Sequence, residues 1–300
     1  TTNEGNDAAI YFYNGNIELN NCELSAEGYN GQFLGLYGSS GAVTFKNCDI
    51  STVGNKNGWS YAMYGGSVLK LNQSTMTATG MSTDSGNINA FYSGDNRTGY
   101  DAIYFTDSIV DFSDNKAGGF AINNVNIHVN NSQVTVNNNL GNACNSGYWI
   151  VENSDITMNG NRGGHALSCI GFKMTGSDVE ILHNGYAGVY LQSQDSSFTD
   201  CEVDLRCNGE MLLSYTAGDL WLNGHTLTVS GDCSSDAQEG SAWLGGVGRK
   251  GAVTTTGSSV VAYDLNSNAV DNLKSNTKPV LTNANIALNG ENDKHTLFLN

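Results

Sequence analysis

The chain has 300 residues, with 13 basic against 29 acidic side chains and a formal charge of −16. Only 14% of residues are charged and Pro occurs once, while Gly reaches 37 and Asn 40; this excludes coiled coils and long helical arrays, which draw on Ala, Glu, Lys, Leu and Arg. The acidic balance argues against nucleic acid and anionic lipid as partners, the 39% hydrophobic content is too high for a disordered chain, and no apolar run approaches the roughly eighteen residues that cross a bilayer.

From the first strand onward one pattern recurs. Ile17-Glu-Leu-Asn-Asn21-Cys22-Glu-Leu24 is followed by Val43-Thr-Phe-Lys-Asn47-Cys48-Asp-Ile50. Later come Ile127-His-Val-Asn-Asn131-Ser132-Gln-Val134 and Trp149-Ile-Val-Glu-Asn153-Ser154-Asp-Ile156. Phe172 to Val179 and Ser196 to Val203 keep the scheme. The small residue after the turn residue serves as an anchor. In chain order the anchors are Cys22, Cys48, Ser74, Ser108, Ser132, Ser154, Ser177, Cys201 and His225, with weaker ones at Ser258 and Ala284. Most lie 22–26 residues apart, with two longer intervals of 34 and 33. Apolar residues stand five and three before the anchor and two and often four after it. Each half therefore alternates with period two and reads as a short strand with one buried face. The residue between the halves is usually Asn, Asp or Gly, suited to a left-handed turn.

A third strand precedes each pair, as in Ala8–Phe12, Phe33–Tyr37, Ala187–Leu191 and Met211–Leu213. One such unit every two dozen residues predicts stacked coils about 4.8 Å apart. From Ala8 to Leu288 the pattern resembles the right-handed parallel β-helix superfamily of pectate lyases, polygalacturonases, phage tailspikes and bacterial surface adhesins. The expected architecture is all-β: one three-sided, right-handed parallel β-helix of about eleven coils over residues 1–300. Its handedness comes from the resemblance.

Asn recurs before the anchor, at Asn21, Asn47, Asn131 and Asn153. It recurs seven after it, at Asn55, Asn115, Asn139, Asn161, Asn184 and Asn208, with Asp232 closing the series. Stacked amides at corners satisfy one another and the turn backbone. The two long intervals predict surface loops near 80–100 and 232–251, where repeat proteins often place a binding face. Neither end reads as a cap, and the chain begins Thr-Thr-Asn, so a fragment of a longer protein is expected. The seven Cys show no metal spacing and read as buried thiols. Cys22 and Cys48 hold the same inward position on neighbouring coils and are either thiols or a bridge.

Two outward constellations could carry chemistry. The first is acidic: Asp155, Asp178, Glu180, Glu202 and Asp204 fall on three neighbouring coils, with Arg206 beside them. It is a solvated face, a Ca²⁺ site or a glycosidase-like carboxylate pair. The enzymes of the resembling superfamily imply more. The Gly163-Gly-His165 stretch is the nearest match to the polygalacturonase Gly-His-Gly element and lacks its last Gly. Asp-Asp and Arg-x-Lys are missing. A pectate-lyase Arg beside a Ca²⁺ cluster is matched only loosely by Arg206.

The second constellation is aromatic. Tyr11, Tyr37 and Tyr61 are expected at similar outward places on three coils, with Tyr13 and Trp59 nearby and Tyr186 and Tyr190 further on. Exposed aromatic rows stack on sugars or receive protein partners, or they simply shield the sheet. The expected function is a non-catalytic, extracellular or cell-surface binding segment of a bacterial adhesin. It would be monomeric as a fragment, without a cofactor unless Ca²⁺ binds, and directed at a glycan, polysaccharide or host surface protein. A polysaccharide lyase or hydrolase using the acidic row and a passive stalk are the alternatives.

Overall fold

The computed structural model describes residues 8–206, apart from 38–40, 57, 83–88, 94–101, 117–119, 124, 164, 186–187 and 192–195, and beyond them only strands between 213 and 289. It divides into two compact units, Thr1–Ile150 and Val151–Asn300. Among the described residues there is no helix. The fold is an all-β parallel solenoid.

In the first unit each coil contributes three strands, and each strand pairs in parallel with its counterpart on the next coil. The first side stacks Ala8–Tyr13, Gln32–Tyr37, Tyr61–Tyr64, Phe91–Ser93 and Phe120–Asn123. The second stacks Ile17–Asn20, Ala42–Lys46, Val68–Asn72, Ala102–Thr106 and Asn126–Asn130. The third stacks Glu23–Glu27, Asp49–Val53, Thr75–Thr79, Ile109–Asp111 and Gln133–Thr135. The second unit repeats this on its third side through Asp155–Thr157, Asp178–Glu180, Glu202–Arg206, Thr226–Ser230, Val260–Asp264 and Asn285–Asn289. There the long strand Leu167–Thr175 serves two sides at once, pairing with Val189–Leu191 and with Ser196–Thr199.

The register follows the anchors. Glu23 pairs with Asp49 and Asp49 with Thr75, each one past its anchor. The one slip concerns Ser258. Thr226 pairs with Val260, which stands two residues past Ser258 where the other coils have one. Two consecutive serines offer the pattern no means of choosing. Turns described on all sides number about seven, fewer than the eleven counted from spacing. Past Arg206 only strands are described, without the connections that would complete a turn.

The core lies inside the coils. Second-side residues Val43, Phe45, Leu69, Leu71, Ile103, Phe105, Ile127 and Val129 are all buried, as are Ile50, Met76, Val110 and Val134 on the third. Like residues stack on like, so each coil covers apolar surface that its neighbour alone would expose. The first described coil is less covered: Ile17, Leu19, Leu24 and Ala26 are half-buried.

The corner between second and third sides explains the invariant-looking spacing. Asn21, Asn47, Gln73, Asp107, Asn131, Asn153 and Asp200 all sit at φ between 48° and 53°, and Gly176 at 57°. Asn and Asp tolerate this left-handed conformation better than other side chains. The anchor then points inward and closes two bonds. Its hydroxyl donates to the carbonyl two residues back, at 2.8 Å from Ser74 to Asn72 and 2.7 Å from Ser108 to Thr106. Its oxygen accepts the backbone N–H of the anchor one coil earlier: Cys48 to Ser74 at 3.1 Å, Ser74 to Ser108 at 3.2 Å, Ser154 to Ser177 at 3.1 Å. Buried amides that no strand partner reaches are thereby satisfied.

The Asn seven after the anchor performs the same task at the next corner. Asn115 is 4% exposed. Its Oδ1 accepts the Met81 N–H at 3.0 Å, and its Nδ2 donates to the carbonyls of Ala78 and Phe112 at 3.0 and 3.2 Å. Its own N–H donates to Asn139 Oδ1 at 3.0 Å. In the second unit the Asn161 N–H donates to Asn184 Oδ1, also at 3.0 Å. Asn208 and Asp232, and the expected loops over most of 80–100 and all of 232–251, lie outside the described residues.

Candidate functional site

The first side of the first unit carries a column of aromatic rings. Tyr13, Tyr37 and Tyr64 occupy one register position on three successive coils. Two residues back, the next position holds Tyr11, Gly35, Ala62 and Tyr92. Gly35 and Ala62 leave this second position nearly vacant on the middle coils, and the flanking rings lean into the space. Tyr11 stacks on Tyr37 at 4.3 Å between centroids and 13° between planes. Tyr37 stacks on Tyr64 at 4.6 Å and 18°. Trp59 enters from the turn before Tyr61 and stacks on Tyr92 at 4.0 Å and 17°, and it approaches Tyr64 at 6.2 Å. Tyr13 extends the row at 6.2 Å from Tyr11.

These rings are not core. Tyr13 is 66% exposed and Tyr11 51%. Tyr37, Trp59, Tyr64 and Tyr92 are half-buried. The Tyr37 hydroxyl donates to Gln32 Oε1 at 2.8 Å, which fixes the ring. Burial, together with the neighbouring Tyr37 and Tyr92, pushes the Tyr64 hydroxyl well above the usual phenol range, so it stays a neutral donor at any physiological pH.

Tyr61, expected in this row, belongs elsewhere. It is fully buried, paired with Leu34, and its hydroxyl donates to the Thr77 carbonyl at 2.5 Å. The outward place is taken by Tyr64. The first-side strand Gln32–Tyr37 is buried along nearly its whole length and Tyr61–Tyr64 at three of its four residues, so alternation gives no phase there. Tyr92, also on the column, lies inside the 34-residue interval between Ser74 and Ser108, across which spacing could not carry the alignment.

Of the remaining aromatic candidates, Tyr190 stacks on His165 at 4.4 Å and 14° on the first side of the second unit. Burial lowers the pKa of His165. Tyr186 lies outside the described residues. A second stacked pair, Tyr104 on His128 at 4.3 Å, stands on the second side of the first unit with the Lys70 ammonium 5.9 Å from the Tyr104 ring.

The acidic row is in register as spaced. Asp155, Asp178 and Glu202 pair in series, and Thr157, Glu180 and Asp204 run beside them. Asp155, Asp178, Glu180 and Glu202 are exposed, and the side chains of Asp204 and Arg206 are not described. Glu180 Oε1 accepts the Asn159 amide at 2.5 Å. Among the described residues no three His, Cys, Asp or Glu side chains converge closely enough to hold a metal ion.

Comparison with protein-family models and with curated proteins finds no match. Among solved structures the chain is similar to the A-module of the mannuronan C-5 epimerase AlgE4 of Azotobacter vinelandii. Sequence identity is 12%, covering 94% of this chain and 91% of that one, with a TM-score of 0.34. The parallel β-helix itself is established by the three ladders and their registers.

Proposed function

We propose that the chain is a non-catalytic binding segment, displayed outside a bacterial cell, that recognises a glycan or polysaccharide through the aromatic column of its first unit. The observation that supports this reading is the column itself: six Tyr and Trp rings brought together on one side, with Tyr11 and Tyr13 more than half exposed. A sheet needs no such row for its stability, since the apolar stacks already lie inside. The inner rings spend their faces on one another. A ligand would meet ring edges along the column and open faces at Tyr11 and Tyr13. Ring edges carry partial positive charge and complement sugar oxygens, while open faces complement sugar C–H groups. Tyr is also among the residues that dominate protein recognition sites, so a host surface protein is the second partner class. The exposed carboxylates of the third side stand on a strand face where no three His, Cys, Asp or Glu side chains converge among the described residues, and no observation favours a lyase or hydrolase there.

The test is retention of the chain on a broad glycan panel, with and without Ca²⁺, with chain cleavage recorded in parallel. The expected result is retention without cleavage, weakened about tenfold or more when Tyr11 and Tyr13 are both replaced by Ala, a change worth roughly 1.4 kcal/mol. Cleavage would overturn the reading in favour of an enzyme. Retention indifferent to both tyrosines would remove the column from it.

A further inference from the structure

The two cysteines at neighbouring anchors stand apart from every other anchor pair. In the first unit the remaining anchors are serines, and Cys201 follows Ser177 in the second. Cys22 Sγ and Cys48 Sγ lie 2.8 Å apart. The Cys22 N–H donates to Cys48 Sγ at 3.4 Å, and Cys48 Sγ faces the carbonyls of Leu19 and Lys46, each at 3.3 Å. Both side chains are thus held in place, and the coil spacing of about 4.8 Å falls within the Cα separation that a disulfide spans. Access is unequal. Cys48 is 1% exposed, whereas Cys22 is half-buried on the least covered of the described coils.

We propose that Cys22 and Cys48 form a modification site: a small disulfide such as oxidised glutathione converts the two thiols into a bridge that staples the first two described coils. The Cys22 thiolate attacks one glutathione sulfur, forming a mixed disulfide and releasing one glutathione thiolate. The Cys48 thiolate then attacks the Cys22 sulfur, forming the Cys22–Cys48 bond and releasing the second glutathione. Two electrons pass from the cysteines to the oxidant, and the two cysteine protons end on the two released glutathione thiols. Burial and the contact with Cys48 push the Cys22 thiol up to about 11. The attacking thiolate is therefore scarce at neutral pH, and the reaction accelerates as pH rises. This inference is independent of what the aromatic column binds.

The experiment uses the whole chain, fully reduced and then exposed to oxidised glutathione at pH 8, with thiols alkylated under denaturing conditions and mapped by peptide mass. The expected product has two fewer alkylatable thiols than the reduced chain and one cross-linked peptide pair containing Cys22 and Cys48. The Cys48→Ser variant should instead accumulate glutathione on Cys22. It keeps the fold because serine is the anchor on the following coils. Full alkylation of both cysteines in the treated chain would overturn the proposal. So would stable glutathione on Cys22 of the unsubstituted chain, or a bridge from either cysteine to any other.

Discussion

The backbone N–H of Ser108 donates to the hydroxyl of Ser132 on the following coil at 2.9 Å, and both serines are almost fully buried. No strand partner is offered in the hydroxyl's place. Ser132→Ala should therefore leave a buried amide unsatisfied and cost about 1–3 kcal/mol. Ser132→Cys should cost less, because Cys48 shows that a thiol fits an anchor and accepts the same bond. Chemical denaturation of the two variants side by side decides it. Equal losses would show that the hydroxyl's acceptor role is not what the corner needs.

Asn115 should be costlier to lose. One side chain serves the Met81 N–H and the carbonyls of Ala78 and Phe112. Asn115→Leu removes all three bonds while keeping the branched outline of the side chain, and a loss on the order of 3 kcal/mol or more is expected. Asn115→Asp keeps the acceptor but replaces a double donor with a charge and should not rescue it. Protection of the Met81 amide from hydrogen exchange reads the effect locally.

Tyr61 and Tyr64 separate the two roles that sequence spacing merges. Tyr61→Phe removes the bond to the Thr77 carbonyl and should cost about 1 kcal/mol of stability without touching ligand retention. Tyr64→Ala opens the aromatic column and should weaken retention while leaving the inner core in place. Thermal melts and glycan retention measured on both variants test this. Loss of retention in Tyr61→Phe at a temperature where it is folded would contradict the placement.

Alkaline pH should loosen the reduced chain. Burial raises the Cys22 thiol to about 11 and the Cys144 thiol to about 12, from an ordinary value near 9. A raised folded value means the unfolded chain loses its thiol protons first. The stability associated with the neutral thiols is thus full below pH 9 and lost as pH rises towards 12. Melting temperature against pH under reducing conditions should fall through that window. The Cys144→Ala variant should show a shallower fall than the unsubstituted chain.

Gly58 is a packing requirement rather than a turn requirement. A Cβ there would meet the carbonyl carbon and oxygen of Gly31 at 2.2 and 2.4 Å, both backbone atoms that cannot swing aside. Gly58→Ala should cost about 1–3 kcal/mol as the two coils are forced apart. Gly28→Ala provides the contrast. Nothing lies within 4 Å of its Cβ, and only its φ of 60° opposes the change, so about 1 kcal/mol is expected. Denaturation midpoints of the two variants give the comparison.

Much of this was legible in the chain because two of the three sides obey period two. Leu69, Leu71, Met76 and Ala78 are inward as spacing requires, and Asn21, Asn47 and Asn131 take the left-handed turn expected of them. The first side was not legible in the same way. Tyr61-Ala-Met-Tyr64 is buried at three successive residues, so neither tyrosine announces which way it faces. The stacking of Tyr11 on Tyr37 joins residues two register positions apart, made neighbours by the absent side chain of Gly35. Such a contact depends on what a glycine leaves empty, which no alternation of polar and apolar letters records.

The anchor bonds of the first unit also run one way. Cys48, Ser74 and Ser108 each donate an amide to the coil that follows, and none receives its anchor bond from that direction. The series consequently has a head and a tail. Each anchor amide points toward the following coil, and the local dipoles add along the stack instead of cancelling. Anything that extends it must match that polarity: a further coil, or a second stack, fits head to tail and is refused head to head.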